Sequence, residues 1–300
     1  MDALQRAFYR TRFREVFLER KGKAFEDWFA RLAEFALGPD FERVRPYGAE
    51  GDWKADARTR SDHTIYQCYA PETLSRDKLN AKMTADFGGA VQRWHGWIQR
   101  WVFVHNDIRG LAAAVYAQQD LLRARHRAIT IEVWGEAALT KLADRMDLAG
   151  WESLFGVVAS QRDSGAVAPA DIEEAVRDLE QLEPTPGEEP IHAPSVDKIA
   201  KNELSEYVVQ LLNAGKPKDQ LVKRFFDNHH RPDHGEKVAE AFRARYRSLR
   251  NAQESPDDIF HGLQRYIGTG GSPKRQIATL AVLSYLFDRC DIFEDPESAQ

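Results

Sequence analysis

Cysteine is scarce in this chain, and long apolar runs are absent. Cys68 and Cys290 are its two cysteines, far apart and in unrelated contexts, which argues against a disulfide framework and against a cysteine-built zinc site. No apolar stretch reaches membrane-spanning length. The first residues form an Arg-rich amphipathic pattern with no apolar h-region, so no signal peptide is read and a reducing, cytoplasmic setting is expected. No internal repeat is found. A general excess of basic charge is missing too. The net charge of −5 excludes a wholly basic nucleic-acid coat. That total averages unlike segments. The stretch up to Phe35 and the region Lys216 to Arg250 are rich in Lys and Arg, whereas Asp163 to Glu189 is mostly acidic.

What is present is enough, at 300 residues, for two domains with buried cores. Phe8, Phe13, Val16 and Phe17, then Phe25, Trp28, Phe29, Leu32 and Phe35, recur near the ~3.6-residue period of a helix. Gly22 divides this pattern into two helices, the second ending at Gly38-Pro39. Phe41 to Val44, a first hairpin strand from Asp52 and Thr64 to Ala70 read as strands. A helix from Ser75 to Trp97, a strand Trp101–His105, a helix Arg109–Arg125, a strand Ala128–Trp134 and a helix Glu136–Met146 follow. This order predicts a mixed α/β sheet flanked by helices over residues 1–150. Residues 151–195 read as an acidic helical segment ending in a Pro-rich linker, and 196–296 as an all-α domain. There, Asp233 with Glu236 reads as a capping box, and Ser255-Pro256 and Ser272-Pro273 as helix starts. The last helix, Pro273 to Cys290, is apolar nearly all round, as in a helix buried in its domain or in a partner.

The chemistry concentrates in the hairpin between Gly48 and Phe87. If the chain is extended from Asp52 onward, Asp52, Lys54 and Asp56 share one face. On the next strand Ile65, Gln67 and Tyr69 share a face. Carboxylates, an ammonium and an amide oxygen would then surround one point. Metal-dependent phosphodiester cleavage uses such a set, with hard oxygen ligands for Mg²⁺ and a cation near the attacking water.

Phe25-Glu26 on a helix, Gly51-Asp52 with Asp56, and Tyr66-Gln67-Cys68 stand in an order and spacing that resembles the PD-(D/E)XK nuclease superfamily, in particular the Mrr-like restriction endonucleases. In that group F-E precedes G-D-x-x-x-D and then Q-x-K. Asp86-Phe87-Gly88-Gly89-Ala90 also looks like its segment after the active site. The resemblance implies a restriction-endonuclease-like fold and a Mg²⁺ (or Mn²⁺) site held by Glu26, Asp56 and Gln67, with Asp52 as an outer ligand. It implies DNA as substrate. Such nucleases often act in pairs, because two strands need two cuts, so a homo-oligomer is compatible with the sequence. The chain departs from the pattern at Tyr69, which stands where the group has lysine. A phenol stays protonated up to a pKa of about 10 and does not replace an ammonium. Lys54 is the first candidate for a migrated catalytic cation; Lys78 and Lys82 on the following helix are the next.

Other clusters read as structural. Trp94, Trp97 and Trp101 have the spacing of one helix face and are expected in the core rather than as a base-stacking platform. Asn106-Asp107 follows a strand end and reads as a turn. His229, His230 and His234 lack partners at metal-ligand spacing. The Gly268–Lys274 stretch lacks the phosphate-loop order and reads as a helix connection. The basic stripe of Lys216, Lys218, Lys223, Arg224, Arg243, Arg245, Arg247 and Arg250 is interleaved with acids, as in a solvated face or a protein contact.

Lys198 to Leu212 and the ending Ala281 to Pro296 look like the C-terminal module of bacterial ABC-three-component conflict systems. Such systems pair an ABC-type ATPase, a small middle component and a third protein carrying a variable effector. That resemblance implies an ATPase and a middle component as partners bound through the C-terminal domain and its last helix; no membrane partner is expected, since no apolar run is long enough to span one. Two functional expectations follow. One is a Mg²⁺-dependent DNA endonuclease effector of antiphage defence, with Lys54, Asp56, Glu26 and Gln67 as its catalytic set. The other is a degenerate nuclease fold serving as a nucleic-acid-sensing adaptor or scaffold.

Overall fold

The computed structural model describes residues 1–45, 52–73, 75–108, 110–177, 198–231, 233–268, 272–289 and 291–293. The turn at 46–51, the linker at 184–195 and the glycines at 270 and 271 lie outside these residues. The chain divides into two compact units, Arg12–Gly156 and Met1–Thr11 with Val157–Gln300. Among the described residues no helix is long and apolar enough to cross a membrane.

In the Arg12–Gly156 unit, helices α1 (Ala3–Glu19, which begins in the other unit) and α2 (Gly22–Leu37) lead into β1 (Phe41–Arg43). Then come β2 (Ala57–Thr59), β3 (Thr64–Tyr69), α3 (Arg76–Arg93), β4 (Arg100–His105), α4 (Ala113–Arg125), β5 (Thr130–Trp134), α5 (Glu136–Ala143) and α6 (Leu148–Phe155). The five strands lie in chain order. β1, β2 and β3 pair antiparallel, whereas β3, β4 and β5 are parallel. The sheet is therefore mixed, as the element order predicts. The parallel pairs are those joined by a helix, since a parallel return needs a crossover.

Alternation along β3 assigns its two faces. Ile65 enters an apolar cluster with Leu79, Met83 and Phe87 of α3, Trp101 and Phe103 of β4, and Val115 and Leu122 of α4. Tyr66 points the other way, its ring 5.6 Å from Phe29 of α2 and 5.6 Å from Trp134 of β5. Gln67 thus shares the α3 face with Ile65.

Three expectations need correction. Asp52 to Lys54 do not continue the strand; they form a turn, with Trp53 and Lys54 at φ 52° and 59°. This left-handed backbone breaks the alternation that would have placed Asp52, Lys54 and Asp56 on one face. α3 ends at Arg93, so Trp94 and Trp97 lie in the following turn and Trp101 in β4. The tryptophans are not one helix face, although Trp101 is fully buried and Trp94 and Trp97 pack against the same cluster. Asp233 makes no capping bond; it pairs with Lys237 at 2.6 Å, and Glu236 pairs with Arg243 and Arg289.

The other unit is helical: α7 (Gln161–Gly165), α8 (Pro169–Arg177), α9 (Lys198–Lys201), α10 (Glu206–Gly215), α11 (Asp219–Asp227), α12 (His234–Asn251), α13 (Pro256–Ile267) and α14 (Pro273–Asp288). Ser255 and Ser272 cap α13 and α14 through Asp258 N and Arg275 N, each with proline at the first position, as predicted. α14 is the core. Helices α7, α8, α10, α11 and α13 surround it, and Ile277, Leu280, Val282, Leu283 and Leu286 have no exposure. Its apolar surface is thereby covered within its own unit, so this helix is not the assembly surface expected. Gly215 allows the closest approach: a Cβ there would sit 2.2 Å from Leu280 O. The residues after α14 fold back as well. Lys198 Nζ donates to Phe287 O and Ile292 O at 2.6 and 2.8 Å, and Arg243 donates to Asp291 Oδ1 at 2.6 Å.

Candidate functional site

The site forms where the 52–56 segment meets the end of β3. Asp56 N donates to Tyr66 O, and Val44 N to Asp56 O, both at 2.9 Å. These two bonds fix the Asp56 backbone between the β1 and β3 edges. Its side chain then accepts at Oδ2 from Cys68 N at 2.6 Å and from Gln67 Nε2 at 2.9 Å. The other Gln67 terminal atom, Oε1, is buried without a hydrogen-bond partner. An orphaned buried carbonyl is costly unless something meets it.

Glu26 reaches this corner through a backbone link, Gly22 N to Ala70 O at 2.7 Å, which ties the start of α2 to the end of β3. Its carboxylate pairs with Lys23, which is also 3.3 Å from Asp27. Burial, together with the charges of Glu26 and Asp52, pushes the Asp56 carboxyl up to about 7, against the Cys68 N–H bond and the Lys82 charge. Burial and the charges of Asp56 and Glu26 also push the Cys68 thiol well up. Crowded carboxylates in a partly desolvated corner have this signature, and a divalent cation relieves it. The donor set fits a hard cation: a carboxylate, an orphaned amide oxygen, and two further carboxylates whose charges are felt at Asp56. Among the described residues, however, no three His, Cys, Asp or Glu side chains stand together as a ready-made metal cluster.

The lysines fall differently from the sequence expectation. Lys54 Nζ lies 3.4 Å from Asp86 Oδ1 on α3. Lys82, one turn before Asp86, lies 2.6 Å from Oδ2. It is the Lys82 charge that is felt at Asp56. Asp86 itself is fully buried. Sequence reasoning gave Asp86 no role, yet a signal existed: it falls on the apolar stripe Leu79, Met83, Phe87, Ala90, four residues after a lysine. Tyr69 supplies no cation; its ring lies 6.0 Å from Phe103, packed against the core. Asp52 accepts from Lys54 N at 2.9 Å and so shapes the turn.

The remaining clusters have structural partners. Asn106 is buried and donates to Arg20 O at 2.9 Å, closing the end of α1. The His229 and His234 rings stack at 4.0 Å. In the basic stripe, Lys216 pairs with Asp288, Arg243 with Glu236, Glu240 and Asp291, and Arg247 with Glu240.

No curated protein and no solved structure matches this chain. Residues 170–294 match the family model of C-terminal domain 10 of the ABC-three component (ABC-3C) systems, which supports the C-terminal resemblance and reaches no part of the Asp56 site.

Proposed function

We propose that the chain is the effector of a multi-component bacterial antiphage system of the ABC-three component kind, and that its Arg12–Gly156 unit is a Mg²⁺-dependent DNA endonuclease. The observation that carries this reading is Asp56. Its carboxyl is fixed by Cys68 N and Gln67 Nε2, raised to about 7 by burial and by Glu26 and Asp52, and set beside the orphaned Gln67 Oε1. Asp56 and Gln67 would hold Mg²⁺ or Mn²⁺, with Glu26 and Asp52 adding charge from further out. When bound, the ion polarises a phosphoryl oxygen and acidifies a water. The protein's own part is to hold the deprotonated Asp56 carboxylate in place and to set Lys82 and Lys54 against developing negative charge. The match at residues 170–294 supports membership of a multi-component assembly. An ABC-type ATPase and a small middle component are the proposed partners, bound by the C-terminal unit. Mg²⁺-dependent DNA hydrolysis by the wild type and none by Asp56→Ala tests the reading.

One observation favours a second reading, a non-catalytic adaptor that senses nucleic acid or scaffolds its partners. Tyr69 occupies the lysine position of the nuclease pattern and packs on Phe103. On that reading Asp56→Ala changes neither DNA integrity nor assembly.

A further inference from the structure

Asp86 has no solvent exposure, yet it sits on the core-facing stripe of α3 between Met83 and Phe87. A carboxylate in such a place needs counter-charge. It has two: Lys82 Nζ at 2.6 Å from Oδ2 and Lys54 Nζ at 3.4 Å from Oδ1. No directed hydrogen bond from another described residue reaches either oxygen. The lysines themselves are open, with side chains 36 % and 49 % exposed. Each lysine therefore pairs with Asp86 while a substantial part of its side chain stays open to solvent.

Two further features serve this arrangement. A Cβ on Gly89 would lie 2.6 Å from Lys54 Cγ, so glycine there leaves the groove that the Lys54 stem occupies. The turn carrying Lys54 is pinned, because Trp94 Nε1 donates to Trp53 O at 3.1 Å and the two rings meet at 5.5 Å. Two ammonium groups brought together repel unless an anion lies between them. One carboxylate between two lysines leaves a unit of positive charge facing out, which suits a single phosphodiester.

We propose that Asp86 is a positioning residue that holds Lys54 and Lys82 side by side as a phosphate-binding pair for the DNA backbone. This rests on the reading of the Arg12–Gly156 unit as one that engages DNA, but not on cleavage. The role makes an unusual demand. Asp86→Asn adds net positive charge next to two lysines, so a purely electrostatic role makes DNA binding tighter, whereas a positioning role makes it weaker.

The test is fluorescence anisotropy of a short labelled DNA duplex with the full chain in EDTA at low salt, thermal melts verifying that each variant is folded. The wild type binds with a salt-dependent affinity. Lys54→Ala and Lys82→Ala each weaken binding, by about three- to tenfold, and Asp86→Asn weakens it as well. Gly89→Ala weakens binding in the wild type and adds nothing to Lys54→Ala. The inference is overturned if the wild type does not bind, if Asp86→Asn binds as tightly or more tightly, or if Gly89→Ala acts equally with and without Lys54. Wild-type binding with the expected variant pattern, but no cleavage in Mg²⁺ even together with the ATPase and the middle component, upholds the lysine pair and removes the nuclease.

Discussion

Gln67 donates through Nε2 to Asp56 Oδ2 at 2.9 Å, across eleven residues of sequence, and this bond leaves Gln67 Oε1 buried and unmet. The two residues come together because β2 and β3 pair antiparallel, with Ala57 opposite Tyr66. Asp56, immediately before β2, and Gln67 of β3 then lie just past that pair. The bond ties the candidate acid to the candidate ligand oxygen, so the properties of Asp56 report on the whole site.

The first prediction concerns Asp56 in the metal-free protein. Its carboxyl is raised from 3.8 to about 7, chiefly by burial and then by Glu26 and Asp52. Between those values the folded state holds a proton that the unfolded chain has lost, so the contribution is favourable at low pH and is lost as pH rises through 7. Asp56→Asn, which keeps an acceptor for Cys68 N, should therefore raise the urea midpoint most at pH 8 and by clearly less at pH 5. An equal shift at both values would show that Asp56 titrates normally.

His105 should act in the opposite sense. It is buried at the end of β4, where Nδ1 accepts from Asp107 N at 3.1 Å, and burial lowers its pKa from 6.5 to about 4. As pH falls from 6.5 toward 4, the unfolded chain takes up a proton that the folded state refuses, and stability drops. At pH 5 the loss is about 2 kcal/mol relative to neutral pH. His105→Asn, which retains an acceptor near the Nδ1 position, should flatten this acid limb in chemical denaturation. A limb of unchanged slope would assign it to other groups.

Arg243 of α12 is the counter-charge for a partly desolvated acid cluster. It lies 2.6 Å from Asp291, whose side chain is 1 % exposed, and 2.9 Å from Glu240, and it also pairs with Glu236. Burial already holds the Asp291 carboxyl above its usual range, with Arg289 and Arg243 drawing it back. Arg243→Ala leaves Asp291 with Arg289 alone, at 3.2 Å. A loss of about 3 kcal/mol is expected by urea unfolding. Arg243→Lys should recover only part of it, because one ammonium cannot replace a guanidinium fork between three acids.

How much of this was legible in the sequence depends on the range of the interaction involved. Helical periodicity and apolar strand runs placed the succession of helices and strands, the split of α1 from α2 at Gly22, and the serine caps of α13 and α14, because each is decided within a few residues. The pairing of Asp56 with Gln67 was accessible from hairpin geometry. The turn at Trp53 and Lys54 was not, since nothing in an Asp-Trp-Lys-Ala-Asp run demands a positive φ. Trp94 holds that turn from a distant element. Lys54 consequently faces Asp86 rather than Asp56. Asp86 was named only within the segment after the candidate site, and its pairing was not legible for the same reason: a carboxylate on a buried stripe makes sense only once both lysines are seen to reach it. α14 was ambiguous in sequence because an all-round apolar helix fits a domain core and a partner interface equally; α10, α8 and α11 decide it.

The measurement that bears most directly on the proposed function is conversion of supercoiled plasmid by the full chain. It is run with Mg²⁺ and with Mn²⁺, alone and together with the ATPase and the middle component, for wild type and Asp56→Ala in parallel. Nicking or linearisation by the wild type, abolished by EDTA and by Asp56→Ala, is the expected result. Intact plasmid under every one of these conditions, or equal cleavage by Asp56→Ala, would contradict the nuclease and leave the adaptor.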